Sequence, residues 1–358
     1  MRIGLVCPYS LTIPGGVQGQ VLGLGRALRA LGYPARILAP CDGPPPDASV
    51  TPLGMSVPFA ANGSVAPLAP DVPCALRTIR ALRDEEFDIV HVHEPFAPGP
   101  TWTSVLFSDA TLVATYHRAG RSAAYQLLRP LARRAARNLR VSCAVSEDAL
   151  RTAANAVGGE YELVYNGIDI ARFAKAEAWP TETRTILFVG RHEPRKGLAV
   201  LLEAMDRLPS EVCLWVASSG PETAMLKARV ADDPRIQWLG LLSDQDLARR
   251  LRGADVVCCP SLHGESFGVV LLEAMAAQTP IVASDIPGYR QVARAGREAL
   301  LVPPGDAVAL ADAISRVLAD GALADRLVEA GDARAAEFSM ERLAERYLEL
   351  YAAALASG

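Results

Sequence analysis

The chain has 358 residues, half of them hydrophobic, with a formal net charge of −4 and seven scattered cysteines. That length exceeds what one hydrophobic core usually serves, so two domains are expected. No apolar stretch approaches the length of a membrane span, no Cys-x-x-Cys pair occurs, and the charge lacks the basic excess of a nucleic-acid binder. Cys7, Cys41, Cys74, Cys143, Cys213, Cys258 and Cys259 are odd in number and read as small buried thiols in a reducing cytosol. The charge is uneven. Through Ala176 there are 17 Lys and Arg against 14 Asp and Glu, and the remainder carries 19 against 26. A mildly basic, arginine-rich first half suits an anionic acceptor or an anionic membrane surface.

In chain order, Ile3–Cys7 is an apolar run broken by Pro8. It is too short for a signal peptide and reads as a first strand, so a cytoplasmic chain is expected. Gly15 to Leu31 is a glycine-rich loop entering a helix. Strands are expected at Ala35–Ala39, Asp88–His93, Thr111–Thr115, Val141–Val145 and Glu162–Tyr165. Helices are expected at Ala75–Arg83, Ser122–Leu139 and from Val145 to Ala154. Asn166-Gly167 is a turn dipeptide that closes this half. The pattern then restarts, with strands at Thr185–Val189, Val212–Ala217, Ile236–Leu239, Val256–Cys259, Ile281–Ser284 and Ala299–Val302. Helices are expected at Leu198–Leu208, Val269–Met275, Asp306–Leu318 and Met340–Leu355. Repeated strand-helix units imply parallel sheets. The expected class is therefore α/β, with two Rossmann-like domains, 1–167 and 168–339, facing a cleft.

Chemistry concentrates in two loops of the second block. Gly190-Arg191-His192-Glu193-Pro194-Arg195-Lys196-Gly197 follows one strand and offers a guanidinium fork and a point charge, a combination that suits a diphosphate. Gly264-Glu265-Ser266-Phe267-Gly268 follows another strand and runs into a helix that carries Glu273. Glu265 and Glu273 would lie roughly 12 Å apart if all the residues between them were helical. That is too far to share a proton, yet suits two parts of one extended ligand. In open α/β sheets such loops line the ligand crevice, and helix N-termini there attract anions. In the first half, Gly15-Gly16 lets the main chain approach a ligand closely. Arg195 reads as solvated or as a structural ion pair. His91 and His93 alternate on one strand and read as satisfied sheet residues, so no metal site is expected. Ser243-Asp244-Gln245-Asp246 has the pattern of a helix N-terminal cap.

Glu-x7-Glu, Gly-Arg-x4-Lys-Gly and the opening Met1–Val6 with Pro14-Gly15-Gly16-Val17 resemble the family 4 retaining glycosyltransferases of GT-B fold. Cys7-Pro8-Tyr9-Ser10, Asn62-Gly63-Ser64, His91-Val92-His93-Glu94-Pro95 and Ala114-Thr115-Tyr116-His117 resemble the inositol-lipid mannosyltransferases within that family. The resemblance runs from Met1 to about Tyr351 and implies several roles. Arg191 and Lys196 hold the leaving diphosphate, Glu265 binds sugar hydroxyls, and Glu273 binds the ribose. His117 lies against the transferred sugar. Gly15, Gly16, Ser266, Phe267 and Gly268 complete the donor site, and Asp244 reads the base. Base reading and helix capping both stay open for Asp244; two acceptors on one carboxylate favour guanine over uracil. The terminal helix, 340–358, is expected to cross back to the first domain, and the linker near Asn166 to act as a hinge.

On the acceptor side the resemblance implies Tyr9, Gln18, Asn62 and Ser64. Pro67 departs from the pattern, since the inositol-lipid enzymes carry an arginine there for the acceptor phosphate; Gln20 departs from a histidine common among relatives. Arg118 and Arg121 are placed to supply the missing cation. The expected activity is transfer of mannose from GDP-mannose to a hydroxyl of an inositol lipid, another lipid or a polyol, without cofactor or metal. A UDP-sugar donor (glucose or N-acetylglucosamine) with a small acceptor, a nucleotide-sugar epimerase, and a non-catalytic sugar-nucleotide binder stay open. Pro73 to Phe87, with Leu76, Ile79 and Leu82 beside Arg77, Arg80 and Arg83, reads either as a helix packed on the sheet or as one lying on an anionic bilayer at the inner face of the cell membrane. The stripe Arg129, Arg133, Arg134, Arg137, Arg140 is open in the same way.

Overall fold

The computed structural model describes residues 1–61, 64–118, 129–231, 233–265 and 267–356. The chain divides into two units, Met1–Gly167 with Met340–Gly358, and Ile168–Ser339.

The first unit holds strands β1 (Ile3–Val6), β2 (Ala35–Ala39), β3 (Val50–Pro52), β4 (Val57–Ala61), β5 (Ser64–Leu68), β6 (Ile89–His93), β7 (Thr111–Tyr116), β8 (Leu139–Ala144) and β9 (Glu162–Leu163). Helices α1 (Gly16–Ala30), α2 (Val72–Asp84), α3 (Pro100–Phe107), α4 (Arg129–Ala135) and α5 (Glu147–Val157) lie between them. The main sheet is parallel, in the order β3-β2-β1-β6-β7-β8-β9. β1 and β6 are buried along their whole lengths, as strands covered by helices on both faces must be. β1 is accordingly a continuous apolar run, whereas β6 alternates valine with the buried His91 and His93. Asp71 and Ser146 cap α2 and α5 by accepting the amide hydrogens of Cys74 and Ala149.

The second unit restarts with helix α6 (Ile170–Ala174) and strands β10 (Thr185–Val189), β11 (Cys213–Ala217), β12 (Ile236–Gly240), β13 (Val256–Cys259), β14 (Ile281–Ser284) and β15 (Leu300–Val302). Its helices are α7 (Leu198–Met205), α8 (Thr223–Arg229), α9 (Asp244–Gly253), α10 (Val269–Ala276), α11 (Pro287–Arg290), α12 (Ala307–Ala319) and α13 (Gly321–Glu337). The sheet order is β12-β11-β10-β13-β14-β15, all parallel. Strand order therefore reverses between β10 and β13 here and between β1 and β6 in the first unit. Such switch points are where open α/β sheets bind ligands.

The last helix, α14 (Met340–Ala356), returns to the first unit. Met340, Ala344, Tyr347, Tyr351 and Ala354 recur at helical spacing and enter the core with Ile3, Leu5, Val21 and Leu24 of the sheet and α1. Gly23 permits this approach, because a Cβ there would sit 2.5 Å from Met340 Cε.

One expectation is corrected, and several elements appear that were not expected. Residues 122–128 of the expected helix Ser122–Leu139 lie outside the described residues. The described part ends in a 3-10 turn at Ala136–Asn138, and Leu139 already pairs in β8 with Leu112. The pull of the β7 edge, which gains a whole ladder of hydrogen bonds, outweighs local helix propensity. The sheet edge β3, the β4–β5 hairpin and helix α3 were not expected. In sequence the hairpin strands flank Asn62-Gly63, a strong short-range hairpin signal. Among the described residues no helix is long and apolar enough to cross a membrane. Helix α2 buries Cys74, Thr78, Ala81 and Leu82 against the unit and leaves Val72 and Leu76 exposed.

Candidate active site

At the switch point of the second unit, the loops after β10 and β13 are pressed together. Gly197 makes this possible: its φ is +68°, and a Cβ there would lie 2.0 Å from the carbonyl oxygen of Pro260. Lys196, the residue before it, reaches across so that its Nζ lies 2.6 Å from Glu265 Oε1. The same oxygen accepts from Ser261 Oγ at 3.1 Å and from Arg195 Nη1 at 3.3 Å. Ser261 Oγ in turn lies 2.8 Å from the buried Tyr289 hydroxyl. Glu265 and Lys196 are 12% and 19% exposed, so this ion pair is shielded from solvent yet still reachable.

Glu193 completes the β10 loop. Buried itself, it holds Arg195 Nε at 3.0 Å and Arg191 Nε at 3.1 Å, on its two oxygens. Arg191 is exposed and ion-paired through Nε with Glu193. The ion-pair reading of Arg195 is thus the one the structure supports. Gly268 caps α10 at φ +78°, where a Cβ would meet Tyr289 Cδ1 at 2.7 Å. Ser266 lies outside the described residues. Phe267 is a correction: the residue is 1% exposed and its ring packs edge-on against Phe338, so its side chain is core.

Glu273 sits in the second turn of α10. Burial pushes its pKa up to about 7; Arg172 opposes that rise and Asp244 adds to it. Arg172, from α6, binds Asp244 twice, at its main-chain oxygen (2.9 Å) and at Oδ1 (3.2 Å). The cap of α9 belongs to its neighbours. Ser243 Oγ accepts from Asp246 N at 3.0 Å and donates to Asp246 Oδ2 at 2.8 Å. The capping pattern expected at Ser243–Asp246 is therefore present, with Ser243 as the cap; the Asp244 side chain is 90% exposed and ion-paired with Arg172.

In the first unit, Gly15 is the extended N-cap of α1, and no side chain caps that helix. Its first amides are thereby left for an anion, and nothing would obstruct a Cβ at Gly16. Gln18 is a second correction. Its side chain folds back over Gly15, and Nε2 donates to Ile13 O at 3.2 Å and lies 3.5 Å from Ser10 O. That amide braces the loop instead of facing an acceptor. Gln20 is likewise structural, exchanging two hydrogen bonds with the Gly167 main chain.

His117 follows β7. Its main-chain N–H donates to Glu94 Oε1 at 2.5 Å, and its Nε2 lies 2.9 Å from His93 Nδ1. His93 is stacked between His91 and His117, with ring centroids at 4.3 and 5.2 Å. His91 is satisfied at both nitrogens, by Tyr351 Oη and Thr115 Oγ1, each at 2.7 Å. Burial pulls the pKa of His117 down to about 3, so the ring is neutral near pH 7. Glu94 is 3% exposed and holds φ +55°, a strained position for a residue with a Cβ. Burial, then the charge of Glu94, pushes the Tyr9 hydroxyl above its ordinary range, and Arg118 opposes them; Tyr9, Glu94 and Arg118 thus share one neighbourhood. Asn62 and Arg121 lie outside the described residues, as does the side chain of Ser64. Pro67 pairs with Pro58 in the hairpin, and its carbonyl accepts from Ser10 N. Among the described residues no cluster of His, Cys, Asp and Glu could hold a metal ion.

The family model described as Glycosyltransferase Family 4 matches residues 14–172, and that described as Glycosyl transferases group 1 matches residues 183–320. A phosphatidyl-myo-inositol mannosyltransferase of Mycobacterium leprae is 36% identical over 370 residues, covering 100% of this chain and 98% of that protein. The chain belongs to glycosyltransferase family 4. It is an enzyme with the two Rossmann-like units of the GT-B fold. Among solved structures, sucrose-phosphate synthase from Thermosynechococcus elongatus superimposes with a TM-score of 0.79 at 23% identity, covering 100% of both chains. HepE of Anabaena, solved with UDP and glucose, gives 0.77 at 19%, covering 99% of this chain and 100% of that one. Both likenesses show the fold.

Sequence reasoning missed four residues that hold the candidate site residues in place. Glu193 could have been found from the Arg-x-Glu-x-Arg spacing of its own loop. Glu94 stands beside a histidine that was weighed. Arg172 and Tyr289 carried no local signal, because each acts on a residue far away in sequence.

Proposed function

We propose that this glycosyltransferase moves mannose, with retention of configuration, from GDP-mannose to a hydroxyl of a phosphatidylinositol-like acceptor. The observation that carries this reading is the Lys196–Glu265 pair at the β10–β13 switch point, in a chain 36% identical over its full length to a phosphatidyl-myo-inositol mannosyltransferase. Lys196 and Arg191 would take the diphosphate, where negative charge grows as the bond between anomeric carbon and phosphate oxygen breaks. Glu265 would then accept from sugar hydroxyls and Glu273 from the ribose. The acceptor oxygen bonds the anomeric carbon on the face the phosphate leaves, and its proton passes to the departing phosphate oxygen. His117, neutral and oriented by His93 and Glu94, would serve as a hydrogen-bonding group toward the sugar.

The acceptor reading rests on Tyr9, on Arg118 and on the uncapped N-terminus of α1. Val72 and Leu76 exposed beside Arg77, Arg80 and Arg83 support a peripheral membrane contact. A UDP-sugar donor is the second reading. One observation favours it: Asp244, the expected guanine reader, already has one carboxylate oxygen on Arg172. The test is transfer of radiolabelled sugar from GDP-mannose, UDP-glucose and UDP-N-acetylglucosamine to phosphatidylinositol vesicles. Label transferred from GDP-mannose alone supports the first reading. Transfer from a UDP-sugar alone replaces it with the second.

A further inference from the structure

From Ala110 to Ser146 the chain has seven arginines and not one Asp or Glu. In a chain of net charge −4 this is a local excess with no counter-charge in its own sequence. Four of these arginines, Arg129, Arg133, Arg134 and Arg137, line one cavity of about 360 Å³ together with Pro130. The cavity is formed along α4 and the 3-10 turn that continues it, within the first unit.

Only one of the four is accounted for by the fold. Arg129 donates from Nε to Ala156 O at 3.2 Å and from Nη2 to Asn155 O at 3.0 Å. These carbonyls end α5, where the helix dipole favours a cation. Arg133, Arg134 and Arg137 are exposed, and among the described residues none of them has a carboxylate partner. The nearest acids in sequence, Glu147 and Asp148, pair with Arg151. Guanidinium groups gathered around one cavity repel one another, and nothing described there offsets that repulsion. An anion would offset it, and the planar guanidinium fork matches phosphate oxygens two at a time. Arg129, Arg133 and Arg137 recur every fourth residue, so the cationic ridge is roughly 12 Å long. One phosphate cannot engage all of it.

We propose that Arg129, Arg133, Arg134 and Arg137 form an anion site for a ligand bearing two or more phosphate groups, separate from the donor diphosphate site of the second unit. Soluble polyphosphates and the headgroup of a polyphosphorylated lipid share this chemistry. The site is independent of the donor and acceptor proposed above.

The experiment compares the wild-type chain with the triple variant Arg133→Ser/Arg134→Ser/Arg137→Ser, both saturated with GDP and UDP together so that the donor site is filled whichever nucleotide it takes. Binding of inorganic tripolyphosphate is measured by titration calorimetry. In parallel, sedimentation is measured with vesicles of phosphatidylcholine, with and without phosphatidylinositol 4,5-bisphosphate. The expected result is wild-type binding weakened at least about a hundredfold in the variant. Without ligand, the variant should melt no lower than wild type, because it loses repulsion and no partner. Tripolyphosphate binding lost in the variant assigns a soluble ligand. Binding confined to the phosphoinositide vesicles and lost in the variant assigns a headgroup. Equal binding by both proteins, or binding by neither, overturns the site.

Discussion

The strand ends that carry the two groups of candidate residues in this glycosyltransferase are built from different materials. In the second unit, the loops after β10 and β13 meet through opposite charges, Lys196 and Arg195 on Glu265, and the β10 loop is itself tied by Arg191 and Arg195 on Glu193. In the first unit, the ends of β6 and β7 meet through histidine rings and one buried carboxylate: His93 on His117, and Glu94 accepting from the His117 amide. A charged frame suits a ligand whose own charge changes during reaction, since fixed ions need no reorganisation as charge develops. A frame of neutral rings around one buried carboxylate suits a ligand held by shape and hydrogen bonds. The difference also sorts the two regions by how they answer to mutation and pH.

The largest effect should come from breaking the contact that brings the charged loops together. Gly197→Ala forces a Cβ against Pro260 O and a left-handed backbone, so a loss of about 3 kcal/mol or more is expected, read from the denaturant midpoint. A loss under about 0.5 kcal/mol would mean that the loops are not pressed together. Next, Glu265→Gln removes the carboxylate from Lys196. Turnover per substrate bound should fall about 10–150-fold, the equivalent of the roughly 1.5–3 kcal/mol of a hydrogen bond to a charged group; His93→Gln, in the neutral frame, should cost less.

The pH profile sharpens the contrast further. Glu273 carries a pKa raised to about 7, whereas His117 is held near 3. An ionised Glu273 accepts from ribose hydroxyls, so donor affinity should rise severalfold as pH increases through about 7. Glu273→Gln should flatten that limb, and His117→Ala should leave it in place. The same raised pKa makes a linked stability statement. The folded chain binds more protons than the unfolded chain between the ordinary glutamate range and pH 7. This contribution is fully present at low pH and lost as pH rises through about 7, and Glu273→Gln should remove it from the melting profile. The smallest effect is expected from Phe267→Leu, a volume change against Phe338 worth about 1.5 kcal/mol or less, with the donor KM unchanged. A large rise in donor KM would return Phe267 to the site.

How much of this was legible in the sequence depended on the range of the determining interaction. The β10 and β13 loops could be read because strand, proline, glycine and charge all lie within a dozen residues, and strand order at a switch point does the rest. The fate of Phe267 could not, because its ring is claimed by Phe338, far along the chain. Gln18 looked like a binding group, and only the path of the Ser10–Gly15 loop shows that its amide is consumed there. The pairing of His93 with His117 follows from the β6–β7 register, which sets His93 opposite Thr115. No local pattern states that register. The end of the expected helix at Leu139 failed for the same reason, since an adjacent strand edge decided it.

The most direct test of the charged frame as the catalytic one is kcat for Lys196→Ala, measured with KM for the donor and with the melting temperature. The account predicts a fall of about 10²–10³-fold in kcat in a chain that still melts cooperatively near the wild-type temperature. Turnover within a fewfold of wild type would contradict it, and the diphosphate would then have to be held elsewhere.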